Sequence, residues 1–402
     1  MTSGLGSDHS RAMTWRAFLL AGAKRLLGLG RALLRAARQA GSGRIRSSEG
    51  VAPVHDDDRP TRLRTGARSW LKPRLPGSRP VSRFTEGHFG HPLRRRYMLY
   101  QPAFRLRGPA PLLVMLHGCG QGAEDFAAGT RMNEAAEDAG VFVLYPEQSV
   151  LANALRCWNW YARQDPASGK GDAAIIAGMT RQVIGDHGID PARVYVAGMS
   201  AGGAMAAVLA RDYPDLYAAL GVHSGVPAGL ADNLYSALRL MSKGPSPRQI
   251  DAVQNPEDGS GRSVPSIVFH GDEDTTVHPS NAQSIHSAPA GDRDAQESVG
   301  SMRASTDSNE GQRGFTRSVD YGPGGISQRE LWIVHGAGHA WAGGDEQEKF
   351  TDAGGPTASR EMLRFFLQHR LGEGALEPAQ PAPRPEAAAM TTRGHPEPAP
   401  PP

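Results

Sequence analysis

Short apolar runs alternate with segments of helical periodicity between about residue 95 and residue 371. The apolar runs predict strands at Arg96–Gln101, Pro111–Leu116, Val141–Tyr145, Arg193–Ala197, Ala218–His223, Ser266–His270 and Leu331–Val334. The helical segments are Ala173–His187, Ser200–Tyr213 and Thr357–His369. Strands buried on both faces and separated by helices predict a mainly parallel sheet with helices on both sides. The pattern therefore indicates an α/β fold with one catalytic domain, in which ligands bind at the carboxyl ends of the strands.

The pattern stops near both ends of the chain, which we divide into residues 1–85, 86–372 and 373–402. Residues 51–85 are rich in Pro, Arg, Ser and Asp and predict a linker. Within the central segment, Asp190–Pro191 predicts a turn before the strand that begins at Arg193. The last segment is mostly Pro, Ala, Glu and Gly, so we expect a disordered tail that buries no core. Residues 284–318 hold few large apolar side chains and predict a mobile surface excursion between two strands.

The N-terminal segment contains a basic amphipathic stretch at residues 14–40, which has no acid and no proline. Its apolar face carries Trp15, Phe18, Leu19, Leu26, Leu29 and Leu33, and its basic face carries Lys24, Arg31, Arg35 and Arg38. Such a helix can lie on a membrane interface or on an apolar granule. A loosely ordered extension, or a misassigned start codon, is the alternative. Lys24 and Arg25 interrupt the apolar stretch and no clean cleavage site follows, so the segment does not match a secretory signal.

The charge distribution, the cysteine count and the lengths of the apolar runs limit the kinds of protein that this chain can be. The net charge of +3 comes from the first fifty residues, which carry nine Lys or Arg against Asp8 and Glu49. The rest of the chain is slightly acidic, which gives no reason to expect nucleic acid as a substrate. Cys119 and Cys157 are the two cysteines, and this count is equally compatible with one bridge and with two free thiols. No apolar run reaches about 18 residues, so no transmembrane helix is expected.

Ser200 is the candidate nucleophile. It is the central residue of Gly198-Met199-Ser200-Ala201-Gly202, between a predicted strand and a predicted helix. Small residues two positions before and after the serine suit a tight turn, which exposes the hydroxyl at a helix N-terminus. A helix N-cap serine without chemistry is the alternative. The strand-to-helix context favours the nucleophile, which needs a base to take its proton.

An acid and then a histidine follow the nucleophile along the chain. The strand Ser266–His270 leads into a loop with three acids, of which Asp274 lies deepest, and we expect it to orient the base. Asp272 is its competitor. The last strand leads into a glycine-rich loop in which His339 is the expected general base. His335 lies nearer to the strand end and is expected to be structural.

The loop His117–Gln121 follows a buried strand, where this type of fold provides one amide of an oxyanion hole. The residue after the nucleophile provides the other, so we expect the backbone amides of Cys119 and Ala201 to hold the oxyanion. A bridge between Cys119 and Cys157 would pin the aromatic patch at Cys157–Tyr161 beside this loop. The candidates for lining the substrate pocket are Trp158, Trp160 and Trp341, with core packing as the alternative.

The motifs together resemble the polyhydroxybutyrate depolymerase family of esterases, catalytic domain type 1, over about residues 95–371. They read LHGCGQ, CWNWY, GMSAGGAM, HGDEDTTV, GAGHAWAGG and TDAGGPTASREMLRFF. The resemblance implies an α/β-hydrolase fold, hydrolysis of short-chain hydroxyalkanoate esters, and a triad of Ser200, Asp274 and His339. It also implies an extracellular location, to which a cytoplasmic or granule-associated location is the alternative. Related esterases act on feruloyl or acetyl groups of plant polysaccharides.

Three features depart from the pattern of that family. Only a Pro- and Ala-rich tail follows residue 372, where secreted depolymerases carry a polymer-binding domain. The chain has no clear signal peptide, and Ala342 stands where relatives often carry serine. These departures favour a soluble ester, an oligomer, or a polymer reached through residues 14–40, over crystalline polymer.

We therefore expect a serine carboxylic-ester hydrolase that forms an acyl-enzyme and needs no metal or organic cofactor. Its expected substrate is a small ester, an oligoester or a polyester, and its oligomeric state is open. A serine peptidase on the same fold is one alternative, although the short elements between Val141 and Ala173 leave no evident lid and favour small esters. A granule- or membrane-associated binding protein with a vestigial site is the other, and the intact motifs argue against it.

Overall fold

The computed structural model describes residues 81–90, 94–103, 108–162, 170–254, 264–288, 300–308 and 311–372. Its strands are β1 (Arg83–Phe89), β2 (Arg95–Gln101), β3 (Ala110–Leu116), β4 (Phe142–Pro146), β5 (Ile189–Met199), β6 (Ala219–His223), β7 (Ser266–Gly271), β8 (Gly300–Thr306), β9 (Phe315–Tyr321), β10 (Ser327–Val334), β11 (Trp341–Ala342) and β12 (Thr351–Asp352). Its helices are α1 (Ala123–Thr130), α2 (Met132–Ala139), α3 (Gly171–His187), α4 (Ala201–Asp212), α5 (Leu234–Lys243), α6 (Pro247–Gln254), α7 (Ser280–His286) and α8 (Ala358–Phe366).

Within the described ranges, ten strands form one sheet in the order β1-β2-β4-β3-β5-β6-β7-β10-β9-β8. The six strands from β4 to β10 in this order are parallel to one another, and the remaining four add antiparallel edges. Strands β3, β4 and β7 are mostly apolar and buried along their whole length, as expected where both faces are covered. The predicted mainly parallel sheet is confirmed.

Helices cover both faces of this sheet and form two apolar cores. One core joins α3, α4, α5 and α7 to Leu112, Val114 and Leu116 of β3. The other joins α1, α2 and α8 to Leu113 and Met115. Successive residues of β3 belong to different cores because side chains alternate between the two faces of a strand. The continuous apolar run that predicted this strand therefore reflects burial on both sides.

All seven predicted strands and all three predicted helices are present, with ends that differ by a few residues. The turn predicted at Asp190–Pro191 lies inside β5 instead of before it. There the pairing with β3 skips from Ala110 opposite Ile189 to Leu112 opposite Val194. The chain therefore bends locally as an irregularity in the ladder without leaving the strand.

Two segments that the sequence assigned to loops contain strands. Strands β8 and β9 pair as an antiparallel hairpin at the sheet edge, where we predicted a mobile surface excursion over residues 284–318. All seven residues of β8 are exposed, so its sequence carries no apolar alternation that could have revealed it. Strand β1 begins at Arg83, inside the predicted linker 51–85, and pairs along its whole length with β2.

The amphipathic stretch 14–40 and the tail 373–402 lie outside the described residues, and the division of the chain at residues 85 and 372 stays a prediction. None of the helices that the structure describes is both long enough and apolar enough to cross a bilayer. The loops after β3, β5, β7 and β10 leave the same edge of the sheet because these strands are parallel. These four loops, together with Ala201 at the start of α4, carry every residue of the predicted triad and oxyanion hole.

Candidate active site

Ser200 occupies a strained turn between β5 and α4. Its backbone has φ 56° and ψ −121°, outside the regions that residues other than glycine ordinarily adopt. The turn is held from both sides, because Ser200 N donates to the carbonyl oxygen of His223 and Ala204 N donates to that of Ser200, both at 2.9 Å. Such a conformation costs on the order of 1–3 kcal/mol and persists only where the surroundings impose it. Its use here is to present the serine hydroxyl at the N-terminus of α4.

Gly198 makes the turn sterically feasible. A Cβ added to this residue would lie 2.4 Å from the carbonyl carbon of Gly202 and 2.7 Å from the carbonyl oxygen of Leu116. Both neighbours are backbone atoms, which cannot move aside as a flexible side chain could. The glycines that frame Ser200 in the sequence are therefore needed for close approach of three backbone segments.

Asp274 and His339 form a hydrogen-bonded pair beside this turn. The distance from His339 Nδ1 to Asp274 Oδ2 is 2.7 Å. The other carboxylate oxygen accepts hydrogen bonds from the amides of Thr276 and Val277, both at 2.8 Å. Burial would raise the pKa of Asp274, but the contacts with His339, the neighbouring His270 and the amide of Val277 together hold this pKa below its ordinary value. An ionised carboxylate only accepts, so the neutral imidazole carries its proton on Nδ1 and leaves Nε2 free to act as a base.

Asp272, the competitor of Asp274, pairs with a different histidine. Its Oδ2 lies 3.0 Å from His335 Nδ1, and its Oδ1 accepts a hydrogen bond from Gly336 N at 2.7 Å. The two side chains of this pair are about 40% exposed, whereas Asp274 is buried. The two loops thus hold two parallel Asp–His pairs, and the buried one lies toward Ser200. The outer pair braces the loop that carries His339.

Ser200 and His339 line the same cleft. The other residues of its lining are Gly118, Cys119, Gln121, Met199 and Phe350. The Ser200 hydroxyl is buried and makes no hydrogen bond to any residue that the structure describes. No hydrogen bond therefore joins Ser200 to His339, and such bonds often form only when substrate binds. The cleft brings together the expected nucleophile, the expected base and the expected oxyanion loop.

The oxyanion loop is fixed by buried polar contacts. Gly118 N donates to Gln121 Oε1 at 2.9 Å, and Gln148 N donates to His117 Nε2 at 3.1 Å. His117 Nδ1 lies 2.8 Å from the carbonyl oxygen of Gly118, so this neutral ring donates through Nδ1 and accepts through Nε2. Burial lowers the pKa of His117, which keeps the ring in this neutral form. These contacts therefore hold the loop His117–Gln121 in one conformation where it lines the cleft.

A disulfide joins Cys119 to Cys157 and decides between the two states that the sequence left open. The bridge ties the oxyanion loop to the segment that carries the aromatic patch, 38 residues further along the chain. Trp158 supports the same loop, since its indole nitrogen donates to the carbonyl oxygen of His117 at 3.0 Å. The amide of Cys119 thus belongs to a loop held by a covalent bond and by hydrogen bonds.

The three tryptophans proposed as pocket residues are buried in the apolar cores and do not line the cleft. Trp341 is fully buried, with its ring 5.0 Å from His223 and 5.6 Å from Phe126. Trp160 packs edge-on against Tyr161. This placement favours core packing for Trp158, Trp160 and Trp341, the alternative that the sequence left open.

His223 is a residue of the site that the sequence did not single out. It ends β6, its carbonyl oxygen holds Ser200 N, and its Nε2 accepts a hydrogen bond from Ala342 N at 3.0 Å. Burial lowers the pKa of His223 to about 3, so the ring stays neutral and can accept that bond. The sequence shows only a histidine at the end of an apolar strand, and no signal in it points to this bridging role.

The fold and the serine at its strand-to-helix turn define the class of the α/β-hydrolases. The chain belongs to a family of carboxylic-ester hydrolases within this class, because the model of the family described as esterase PHB depolymerase matches residues 95–313.

Individual relatives agree with this assignment. Poly(3-hydroxyalkanoate) depolymerase C of Paucimonas lemoignei is 36% identical over 176 residues, which are 43% of this chain and 42% of that protein. Feruloyl esterase B of Neurospora crassa is 31% identical in an alignment 298 residues long, which covers 69% of this chain and 89% of that protein. The chain thus spans less than half the length of the depolymerase and most of the length of the feruloyl esterase.

A solved structure shows the same fold. The acetyl xylan esterase from Aspergillus awamori matches with a TM-score of 0.50 and 20% sequence identity, over 72% of this chain and 99% of that one. At this identity the likeness concerns the fold alone. It confirms the predicted α/β-hydrolase architecture.

Proposed function

We propose that this chain hydrolyses carboxylic esters through an acyl-enzyme on Ser200. The observation that carries the proposal is the position of Ser200 and His339 in one cleft, with Asp274 2.7 Å from the far nitrogen of the imidazole. A serine hydroxyl becomes a useful nucleophile only when a base takes its proton, and this arrangement supplies such a base.

The proposed reaction has two halves. Ser200 Oγ attacks the ester carbonyl carbon while His339 Nε2 takes the hydroxyl proton, and Asp274 stabilises the imidazolium that forms. The backbone amides of Cys119 and Ala201 donate to the carbonyl oxygen as it gains negative charge. His339 then gives its proton to the alcohol oxygen, and the alcohol leaves. In the second half, water attacks the acyl-enzyme by the same steps and releases the acid.

The proposed substrates are esters of short hydroxyalkanoic acids or their oligomers. Membership in the PHB depolymerase family and the match to poly(3-hydroxyalkanoate) depolymerase C support this choice. The match to feruloyl esterase B covers more of the chain and supports feruloyl esters as the second candidate, beside the acetyl esters that the family resemblance implies. A panel of hydroxybutyrate dimer, hydroxybutyrate polymer, methyl ferulate and acetylated xylan compares the two. The highest kcat/KM on the dimer would support the first choice, and the highest value on methyl ferulate would replace it.

The disulfide beside the oxyanion loop supports a location outside the reducing cytoplasm, since such bonds persist in oxidising compartments. We keep attachment to a membrane or granule through residues 14–40 as part of the proposal. Removal of residues 1–50 should then lower the fraction of the chain that binds anionic vesicles or polyester granules. Unchanged binding would remove this part.

The central test replaces Ser200 by alanine and measures turnover of p-nitrophenyl butyrate. Loss of a serine nucleophile typically lowers kcat by on the order of 10⁶. Ser327→Ala is the matched control, because the Ser327 hydroxyl is also buried and makes no hydrogen bond to any residue that the structure describes, and Ser327 does not line the cleft. We expect Ser327→Ala to retain most of the turnover. Equal rates in Ser200→Ala and the unaltered chain would exclude Ser200 as the nucleophile.

A further inference from the structure

Phe350 combines a strained backbone with an exposed aromatic ring. Its φ is 63°, a conformation that is a genuine outlier for a bulky side chain. The residue is 45% exposed, and its ring belongs to neither of the two apolar cores. Five residues other than glycine have a positive φ in the described ranges, and only Ser200 and Phe350 among them line the cleft.

Hydrogen bonds at Phe350, at the next residue and at the start of the segment fix the backbone that carries the ring. The carbonyl oxygen of Phe350 accepts a hydrogen bond from Trp341 N at 2.7 Å. The next residue, Thr351, pairs with Trp341 in the parallel ladder of β11 and β12. Further back, Asp345 N donates to the carbonyl oxygen of Gly129 at 2.9 Å, which ties the start of this segment to the end of α1. The segment therefore presents the ring to the cleft from a fixed backbone.

These bonds join Phe350 to the segment of the general base. Trp341 follows His339 by two residues, and its amide holds the Phe350 carbonyl. The oxyanion loop instead follows β3, which lies on the other side of β5 in the sheet from β10. In the proposed reaction the alcohol oxygen must reach His339 to receive its proton, so the alcohol half of the ester lies on the His339 side.

We propose that Phe350 is a specificity-determining residue whose ring forms the apolar wall of the subsite for the alcohol half of the ester. The inference rests on the proposed ester hydrolysis and adds a preference for apolar alcohols to it. Strain that is retained at the edge of an active site is a recognised sign of a functional constraint. An exposed ring at such a place gains contact area only when substrate covers it.

The test compares the full chain with its Phe350→Ala variant on two series of esters in a pH-stat. The first series keeps butyrate and varies the alcohol from methyl to butyl to benzyl. The second keeps methanol and varies the acid from acetate to butyrate to hexanoate. We expect kcat/KM of Phe350→Ala to fall by on the order of 10-fold for benzyl butyrate and to stay within about 2-fold for methyl butyrate. A loss that grows along the acid series, or one that is equal for all esters, would overturn the role.

Two further variants separate the effect of the Phe350 ring from the effect of its backbone strain, and a third variant is a control. Phe350→Tyr keeps the ring and should keep the preference for benzyl over methyl esters. Phe350→Gly relieves the strain and should lose the preference as Phe350→Ala does, with an equal or higher melting temperature. Leu151→Ala removes an apolar side chain that is 90% exposed and does not line the cleft, so it should change neither series.

The outcomes for Phe350 and for the proposed function are distinguishable. If the unaltered chain hydrolyses these esters and Ser200→Ala does not, an unchanged alcohol preference in Phe350→Ala overturns only the role of Phe350. If the unaltered chain hydrolyses no ester in either series, the proposed function fails, and the role of Phe350 fails with it.

Discussion

The carbonyl oxygen of Leu116 lies 2.0 Å from the position that a Cβ on Gly202 would occupy. The first turn of α4 therefore packs directly against the end of β3, where the oxyanion loop begins. This contact fixes Ser200 and the loop His117–Gln121 relative to each other through backbone atoms alone. It also makes Gly202 the position in the nucleophile turn where a single methyl group does the most damage.

We expect Gly202→Ala to destabilise the fold and to abolish most ester turnover. A methyl group has no room there, so α4 or the end of β3 must shift, and the Ser200 hydroxyl shifts with them. Gly185→Ala is the control, because Gly185 lies exposed in α3 and a Cβ on it meets no atom within 4 Å. The control should gain about 0.5–1 kcal/mol of stability, as helix interiors favour alanine over glycine. Urea unfolding and p-nitrophenyl butyrate turnover test both variants, and a fully active Gly202→Ala would contradict the prediction.

Asp274→Asn and Asp272→Asn should differ sharply in turnover. Asparagine at position 274 can donate to His339 and so stabilise the wrong tautomer, which in a serine triad costs on the order of 10⁴ in kcat. Asp272 pairs with His335 outside the cleft, so Asp272→Asn should keep kcat within about 3-fold and lower mainly the stability of the loop. Steady-state kinetics on one ester decide the matter. Equal losses in the two variants would mean that the outer Asp–His pair takes part in the chemistry.

Loss of the disulfide should lower both stability and kcat. The double variant Cys119→Ser, Cys157→Ser removes the crosslink without leaving a free thiol, and we expect a loss of about 2–4 kcal/mol in unfolding free energy. The Cys119 amide would then lie in a looser loop, and complete loss of one oxyanion donor costs about 10²–10³ in rate. A reductant should lower the rate of the unaltered chain toward that of the double variant and should leave the double variant unchanged. A double variant with unaltered kcat would show that the hydrogen bonds alone hold the loop.

Acid should destabilise the fold from about pH 6.5 downward. Burial lowers the pKa of His223 to about 3 and that of His369 to about 4, while both titrate near 6.5 in the unfolded chain. Below pH 6.5 the unfolded chain therefore binds more protons than the folded one, so stability falls as pH falls and this loss levels off below the folded pKa values. Each histidine changes the free energy of unfolding by up to about 1.4 kcal/mol per pH unit.

Urea unfolding at intervals from pH 7 to pH 5 measures this dependence. The buried carboxylates Asp274 and Glu330 have lowered pKa values and add to the acid loss only below about pH 4.5, so they do not affect this window. His223→Gln keeps an acceptor for Ala342 N and should flatten the slope by the share of one histidine. A stability that does not change between pH 7 and pH 5 would contradict the assignment of His223 and His369 as neutral buried rings.

The sequence predicted the parallel sheet and the residues that the structure gathers at one edge, because both depend on local patterns. Apolar runs report burial on two faces, and the glycines around Ser200 report backbone crowding. Other relations between distant side chains were left open. The two cysteines fitted a bridge and two free thiols equally well, and nothing in the sequence predicted that Asp272 pairs with His335.

Other features escaped prediction for identifiable physical reasons. The exposed strand β8 is held by pairing with β9 and needs no apolar face of its own. Helices α1 and α2 have eight residues each, too few for a clear period. Phe350 reads as an ordinary aromatic in a charged loop, since a positive φ leaves no mark on the sequence of a residue other than glycine.

His223 is hydrogen-bonded to both halves of the site, the turn that carries Ser200 and the segment that follows His339. Its carbonyl oxygen holds the amide of Ser200, and its ring holds the amide of Ala342, three residues beyond the base. One local opening that displaces His223 therefore frees both amide protons at once. In native-state hydrogen exchange these two amides should share one protection factor and one denaturant dependence, so that the serine and the histidine are lost or kept as a single cooperative unit.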